Sequence, residues 1–295
     1  MEGKKKLNRR GFLKISLAGV ATLTISCHSA KYQTLGRDCP YPGIYGNKIR
    51  VMSFNIANAR GNTDEFLASK WEETIRDNLD WIVKLIRNYD IDVVCLNEVD
   101  FGSIRTYNID MASYIANALC YNHVIREKIF DIPSELEVGN AIVSRFPLHL
   151  NGHRQYGDGL IDRVRHIFKS FVDFDVLLDD SGRKLNIVLT HLDHHCEKVR
   201  CKEVNTLIRH LEGKQNPFVL LGDLNSTPGE KCFEILMKTG LVGNPYLGIR
   251  TYPADVPKRA IDHILVSPGL SIQNYHTVLM QASDHLPIIG DISFD

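Results

Sequence analysis

Residues 217–228 constrain the fold of this chain more than any other stretch. A short apolar run leads directly into Gly222, Asp223 and Asn225. Such a run, bounded by turn-forming residues, predicts a buried strand that stops abruptly. On an extended backbone, Asp223 and Asn225 would point to the same side, so that an acceptor and an amide donor could meet one small target. The alternative is a turn in which both side chains bond to their own backbone.

The composition is that of a globular protein. The 295 residues are 44% hydrophobic and 24% charged, which is enough to build a large core. The formal net charge is zero, but six basic residues and one acidic residue fall within the first 26. The remainder therefore has about five more acidic than basic residues, which disfavours nucleic acid as a partner, although a local basic groove could still bind it.

Residues 1–26 are predicted to be a signal peptide. Several lysines and the pair Arg9 and Arg10 precede an apolar stretch at 15–26. This stretch is too short to span a bilayer but is typical of a signal peptide. The segment around Arg9 and Arg10 resembles the twin-arginine export signal. We therefore predict that the protein is exported.

Cys27 follows this segment and is predicted to carry a lipid. Residues 24–27 resemble a bacterial lipobox, although Thr24 stands where leucine is usual. A lipidated Cys27 would anchor the protein to a membrane of a bacterial envelope, on its periplasmic or outer surface. Residues 27–47, with several glycines and prolines, would then tether a domain at 48–295. In the alternative, cleavage falls elsewhere and Cys27 is incidental.

The remaining cysteines are not expected to form a disulfide framework. Cys95 falls in a strand-like apolar run and Cys120 at the end of a helical pattern, where small buried thiols are common. Cys196 and Cys201 lack a second nearby pair, so their spacing is not that of a zinc site.

Strand-like and helical patterns alternate from residue 48 onward, without a repeat or linker. The strand-like segments are 49–56, 91–96, 139–145, 167–178, 185–191, 261–266, 271–280 and 287–292, and the helical segments are 71–86, 110–119, 197–212 and 229–239. Strands outnumber helices, which favours an α/β domain of two sheets packed face to face with helices outside.

Polar residues recur at the ends of these apolar strands. They are Asn55, Glu98, His191, Asp223, Asn225, Asp262, Asp284 and His285. Each alone has an ordinary explanation, such as a strand terminator, a solvated end or an Asx cap. Their recurrence favours a single cause, because strand ends on one edge of a sandwich are rigid and adjacent and can form a site.

The chemistry of this set favours a magnesium-dependent reaction. Glu98 and Asp284, with Asn55 as a neutral donor, offer the oxygen ligands that Mg²⁺ prefers. Zinc is disfavoured because no HExxH-type spacing occurs, and His194 and His195 are interpreted as surface or substrate-side residues.

The other members of the set can move protons and stabilise charge. Asp262 can orient the imidazole of His285, which can face a developing oxyanion. Asp223 can take a proton from water, while Asn225 fixes its direction or donates to a phosphoryl oxygen.

Together these motifs resemble the endonuclease/exonuclease/phosphatase superfamily, which includes pancreatic-type deoxyribonucleases, abasic-site endonucleases, neutral sphingomyelinases and inositol-polyphosphate phosphatases. The motifs are Asn55 and the segments 96–100, 139–145, 190–192, 222–228, 261–265 and 283–287. The resemblance covers 48–294 and implies a four-layer α/β/β/α sandwich, with two mixed sheets face to face. It also implies divalent-metal-dependent hydrolysis of phosphate esters, with Mg²⁺ as the metal and Mn²⁺ as the alternative.

The resemblance also assigns a role to each residue of the set. It implies that Glu98 is the principal metal ligand, with Asn55 and Asp284 beside it. Asp223 would align or deprotonate the attacking water, and Asn225 would bind the phosphate. The scissile phosphate would be contacted by His191 and by His285, which Asp262 orients. Asn97 stands where many relatives have glutamine.

The sequence is compatible with several classes of substrate. A monomeric hydrolase of small or membrane-borne phosphate esters is favoured, and the alternatives are a nuclease, a sphingomyelinase-like lipid phosphodiesterase and a non-catalytic binding module. Four arginines, Arg145, Arg154, Arg163 and Arg165, form either a solvated face or one wall of a phosphate-binding cleft.

Overall fold

The computed structural model describes residues 28–37, 48–62, 71–132, 135–157 and 169–295. The predicted signal peptide, Cys27 and residues 38–47 of the predicted tether lie outside these residues. The described residues form twelve strands and four helices. In chain order they are β1 (Ser29–Thr34), β2 (Lys48–Asn55), α1 (Trp71–Asn88), β3 (Val93–Asp100), α2 (Met111–Leu119), β4 (His123–Ile132), β5 (Leu136–Ser144), β6 (Leu148–Gln155), β7 (Ser170–Leu177), β8 (Lys184–His191), α3 (Glu197–Glu212), β9 (Phe218–Asp223), α4 (Lys231–Met237), β10 (Asp262–Val266), β11 (Leu270–Thr277) and β12 (Ile288–Phe294).

The strands form two mixed sheets. The first has seven strands in the order β1-β4-β5-β3-β2-β12-β11, and the second has five in the order β10-β9-β8-β7-β6. β2 and β3 are parallel, as are β8 and β9, whereas the other neighbours are antiparallel. Each sheet therefore has one parallel pair at its centre, and both strands of the pair end at the same edge.

Three apolar clusters separate four layers. Alternate residues of β2, such as Val51 and Met52, point to opposite faces of the first sheet. Met52 packs in the cluster with α1 and α2, whereas Val51 packs in the cluster between the two sheets. A third cluster joins the outer face of the second sheet to α3 and α4, through residues such as Leu220 and Leu207. The predicted α/β/β/α sandwich is confirmed.

The first strand lies within the segment predicted to be a tether. Ser29–Thr34 pairs antiparallel with β4 from Ser29↔Lys128 to Thr34↔His123 and forms one edge of the first sheet. The glycines and prolines that suggested a tether lie after this strand, between 36 and 46. Residues 29–34 are therefore part of the folded domain, which begins before residue 48.

Cys120 is disulfide-bonded, and its partner is not among the described residues. Cys95, Cys196, Cys201 and Cys232 are free. The expectation that Cys120 is a buried thiol is wrong, because this residue is exposed at the end of α2 in a left-handed conformation. None of the helices in the described part of the chain combines the length and apolarity needed to cross a bilayer.

Candidate active site

The predicted polar residues meet at one edge of the sandwich. Asn55 ends β2, and its Nδ2 donates to Glu98 Oε1 at 3.2 Å and to Asp223 Oδ2 at 3.1 Å. His191 ends β8, and its Nε2 lies 3.4 Å from Asp223 Oδ2 and 3.8 Å from Glu98 Oε1. Residues from both sheets thus form one cluster around Asp223.

A bulge in β3 places Glu98 in this cluster. The register between β3 and β5 shifts between Leu96 and Val99, and Glu98 has a φ of 53°. An extra residue in a strand re-aims its side chain, and a non-glycine residue in the left-handed region is strained. The surrounding sheet therefore holds Glu98 in a conformation that local preference does not favour.

Gly222 allows His191 and Asp223 to lie side by side. These two residues are direct partners in the parallel pairing of β8 with β9, and Gly222 is paired with Thr190. Gly222 has a φ of 132°, and a Cβ there would lie 1.9 Å from the Thr190 carbonyl oxygen. Only glycine permits this close approach.

His285 is oriented by Asp262, as predicted. Its Nδ1 lies 2.9 Å from Asp262 Oδ2, which also accepts a 2.6 Å hydrogen bond from Thr251 Oγ1. On the other side of the ring, Nε2 lies 3.9 Å from Asp223 Oδ2. Burial opposes protonation, but the charges of Asp262 and Asp223 raise the pKa of His285 to about 10. The two carboxylates therefore favour the protonated form of His285.

The central carboxylates are ionised. Burial alone would raise the pKa of Glu98, but nearby His191, Lys169 and His285 lower it to about 2. The pKa of Asp223 is also well below its ordinary value, because His285 and His191 outweigh its burial. Two anions are thus stable here only because cations surround them.

Asn225 does not lie beside Asp223 on an extended strand. β9 ends at Asp223, and Asn225 has a φ of 49°. Its N–H donates to Asp223 Oδ1 at 2.8 Å, and its Nδ2 donates to Leu192 O at 2.9 Å. The backbone-bonded turn that was the alternative interpretation is therefore present, and it fixes one oxygen of Asp223.

Asp284 joins the cluster through an arginine. Arg60 Nη2 donates to Asp284 Oδ2 at 3.0 Å, and its charge also lowers the pKa of Glu98. Next to Asp284, Ser283 Oγ donates to the Asn55 carbonyl at 2.7 Å, which connects the segment before β12 to the end of β2.

The sequence interpretation missed two buried residues of this site. Lys169 Nζ lies 2.5 Å from His191 Nε2. Asn97 Oδ1 accepts the Asp223 N–H at 3.1 Å, so Asn97 positions Asp223. A signal for Lys169 existed, because it precedes β7, an antiparallel strand that starts at the edge where β8 ends.

Arg145 is not part of a phosphate-binding wall at this edge. Arg145 lies at the opposite end of the first sheet, where it bonds to Asp90 and Asp92, so it cannot contact the site. Arg154 is exposed on β6, and Arg163 and Arg165 lie outside the described residues. His194 and His195 are exposed, as predicted, and their ring centroids lie 3.6 Å apart.

The donors at this edge fit a divalent cation. Glu98 is ionised and its side chain is 34% exposed, so an oxygen ligand is accessible. Asp284 supplies a second carboxylate. Asn55 directs its nitrogen to Glu98 and Asp223, and its oxygen accepts from Ala57 N at 3.1 Å. Ligand atoms of Asp223, Asp262 and His285 also lie within 4.8 Å of one another.

Solved structures with the same fold come from bacteria and from humans. An endonuclease/exonuclease/phosphatase family protein from Bacteroides thetaiotaomicron is 16% identical, with a TM-score of 0.62 over 84% of this chain and 98% of that one. A mannosyl-6-phosphatase of the same organism is 18% identical, with a TM-score of 0.63 over 83% and 100%. The human Nocturnin catalytic domain is 18% identical, with a TM-score of 0.63 over 90% and 97%. At these identities the likeness is one of fold.

Sequence comparison gives the family directly. The curated proteins include no significant match to this chain. Residues 52–285, which include every residue of the predicted site, match the model of the Endonuclease/Exonuclease/phosphatase family. This span begins in β2 and ends at His285, so it covers the second sheet, most strands of the first and the edge where the site lies. The chain therefore belongs to the endonuclease/exonuclease/phosphatase family.

Proposed function

We propose that this protein is a divalent-metal-dependent hydrolase of phosphate esters, with Mg²⁺ as the metal and Mn²⁺ as the alternative. The observation that carries the proposal is the meeting of Glu98, Asp223 and His285 at one edge of the sandwich. Hydrolysis of a phosphate ester needs anions that hold a cation and a water, and cations that neutralise the phosphate. This edge offers both, and hydrolysis of phosphoesters is the activity of the family.

Glu98 is the residue proposed to hold the metal, with Asp284 beside it. A bound divalent cation would supply charge neutralisation at the phosphate. Asn55 donates to both Glu98 and Asp223 and keeps the two carboxylates at a fixed separation. As a direct metal ligand, Asn55 would have to present its oxygen instead.

Asp223 is proposed to orient the attacking water. Its Oδ1 is held by the Asn225 N–H, and the backbone N–H of Asp223 is held by Asn97. The carboxylate is ionised and fixed, so it can accept a hydrogen bond or a proton from water. Asn225 has a second amide hydrogen that can reach a phosphoryl oxygen, while its first stays on Leu192.

Basic side chains beside Asp223 are proposed to bind the phosphate. His285 can donate from Nε2 because Asp262 takes its Nδ1. Lys169 and His191 lie together beside Glu98 and Asp223. Preorganised donors that face a developing charge typically contribute about 10²–10³ in turnover. Water can attack directly, so no covalent enzyme intermediate is needed.

The proposed substrates are small or membrane-borne phosphate esters. The acidic balance of the chain after residue 26 does not favour capture of long nucleic acids. We further propose that the protein is exported and held at a bacterial membrane by a lipid on Cys27. Changing Cys27 to Ser should release the protein from the membrane fraction, and unchanged membrane association would refute the anchor.

The proposed function is tested by assaying the full-length chain with Mg²⁺ and with chelator. The substrates should include a simple phosphodiester, sugar and inositol phosphates, sphingomyelin, RNA and duplex DNA. Glu98→Gln removes one charge with little change of shape, and turnover should fall by about 10² or more. The matched control is Glu72→Gln on α1, whose carboxylate pairs with Arg76 on the surface and whose loss should leave turnover unchanged.

Each result of this assay has a distinct meaning. Metal-dependent cleavage of a small ester that Glu98→Gln abolishes supports the proposal. Preferential cleavage of RNA or duplex DNA would make the protein a nuclease. Undiminished cleavage in chelator would refute metal dependence, and binding without cleavage of any substrate would indicate a non-catalytic module.

A further inference from the structure

A second cluster of metal-ligating side chains lies away from the catalytic residues. It consists of His28, which precedes β1, Glu127 on β4 and His153 on β6. β1 and β4 belong to the first sheet, and both pack against β6, the last strand of the second sheet. The cluster therefore bridges the two sheets at their β1 and β6 ends.

The potential ligand atoms converge on one point. His28 Nε2 lies 2.7 Å from Glu127 Oε1 and 3.3 Å from His153 Nδ1. One ligand atom from each of the three residues lies within 4.8 Å of the others. The two imidazole rings meet edge to face, with centroids 4.4 Å apart and an interplanar angle of 83°. This arrangement directs two nitrogens and one carboxylate oxygen toward the same space.

The carboxylate of Glu127 is fixed from behind. Its Oε2 accepts hydrogen bonds from Asn140 Nδ2 at 2.7 Å and Ser170 Oγ at 2.9 Å. Glu127 is fully buried, and within the described residues its ion-pair partner is His28. Outer hydrogen bonds of this kind orient the ligands of metal sites. Burial of a carboxylate also favours a strong partner for its remaining oxygen.

We propose that His28, Glu127 and His153 bind one Zn²⁺ ion, with water as the fourth ligand. Zinc bonds of about 2.0–2.2 Å in a tetrahedron place ligand atoms about 3.3 Å apart. The two imidazole nitrogens already have this separation, and the His28–Glu127 contact must open by only about 0.6 Å. Two imidazoles among three ligands select zinc over the Mg²⁺ proposed for the catalytic site.

Zinc at this position would fix the start of the folded domain. His28 is the residue before β1 and follows Cys27. Its coordination would join the edge strand of the first sheet to β6. The same Glu127 connects through Asn140 and Asn97 to the N–H of Asp223, so the zinc site and the catalytic edge share one hydrogen-bonded network.

The test measures zinc bound to the full-length chain in the presence of excess Mg²⁺. His153→Ala removes one ligand from a half-buried position, and His149→Ala is the matched control. His149 is exposed on the same strand and bonds to Asn151. The unmodified chain and His149→Ala should retain one more tightly bound Zn²⁺ than His153→Ala, and these two should gain more thermal stability from Zn²⁺ than His153→Ala does. Because all three proteins keep the catalytic residues, zinc bound at the catalytic site cancels in this comparison.

Equal zinc content and affinity in the unmodified chain and His153→Ala would overturn the proposal. If His153→Ala does not fold, crystals of the unmodified chain soaked in Zn²⁺ decide the question. An anomalous peak at the zinc edge between His28, Glu127 and His153 supports the site, and its absence refutes it. Neither result depends on hydrolysis of any substrate, so the zinc site can fail while the proposed function stands.

Discussion

The two ends of the seven-stranded sheet hold their charges in opposite ways. At the end away from the site, Arg50 donates to both oxygens of Asp291 and to the Tyr89 carbonyl. Arg145 donates there to Asp90, Asp92 and Tyr121. Each guanidinium thus faces oxygen acceptors at bonding distance, and the geometry is that expected of charges that stabilise a fold.

At the catalytic end, anions are brought together instead of being separately paired. Glu98 and Asp223 accept from the same Asn55 amide, and the nearest histidine contacts of Asp223 are 3.4 Å and 3.9 Å long. Glu98 also has a strained backbone. The far end is thus arranged for stability, whereas the catalytic end holds charges that binding and chemistry need.

Neutralising one carboxylate at each end is the strongest test of the contrast between the two ends. Asp223→Asn should reduce turnover by about 10³ because it removes the group that orients water. Asp92→Asn should leave turnover unchanged and lower the melting temperature, because Asp92 accepts from Arg50 N and Arg145. Parallel activity and melting measurements on both variants check this. Equal losses of activity in the two would contradict the contrast between the ends.

Lys169 offers a finer test at the catalytic end. Lys169→Met should reduce kcat/KM by about 10², because a buried cation beside His191 and Glu98 is lost. The matched control is Lys184→Met on β8, whose exposed ammonium pairs with the buried Asp175 and whose loss should not affect kcat/KM. Steady-state kinetics on both variants decide the matter. A Lys169→Met enzyme with normal kinetics and reduced stability would show that Lys169 is only structural.

Arg145 gives the complementary test at the far end. Arg145→Met should lower the free energy of unfolding by about 2 kcal/mol, because it leaves Asp92 and the buried Tyr121 without their charged partner. Turnover should not change. Urea unfolding measures the change in stability, and a steady-state assay measures turnover. Reduced turnover in a folded variant would indicate that Arg145 contributes to phosphate binding.

The smallest expected effect concerns the response of the far end to acid. Burial alone would raise the pKa of Asp291. Hydrogen bonds from Arg50 and Asn274 outweigh burial and lower this pKa below its ordinary value of 3.8. The stabilisation from this ionised group is complete above the unfolded-state pKa and is lost as the pH falls through the lower folded-state pKa. Asp291→Asn should therefore lose less stability than the unmodified chain between about pH 5 and pH 3, by about 1 kcal/mol or less. Urea midpoints at both pH values measure the difference, and identical acid responses would show that the pair contributes nothing.

Much of the fold followed from local patterns. The helical pattern at 197–212 coincides with α3, and the apolar run before Asp223 is β9. β4 and β6 were not predicted, because charged residues interrupt β4 and polar residues dominate the edge strand β6. Glycine and proline after β1 hid the first strand in the same way. Periodicity identifies strands with one apolar face, and it fails where a strand gains stability from its neighbours.

The candidate site shows the same division. Local sequence was enough to identify the polar residues that end the strands, because turn-forming and charged residues cannot continue a buried apolar run. Asp262 beside His285 was also predictable from chemistry, and the pair lies at 2.9 Å.

Which charged groups lie next to one another depends on the three-dimensional fold. The bulge that turns Glu98 toward Asp223, the left-handed turn at Asn225 and the position of Lys169 beside His191 depend on strand register. The position of Arg145 at the far end and the contact between His28 and His153, which joins the two sheets, also depend on strand register. Register joins residues far apart in the chain, whereas local sequence preferences act over a few residues, so no local pattern encodes these contacts.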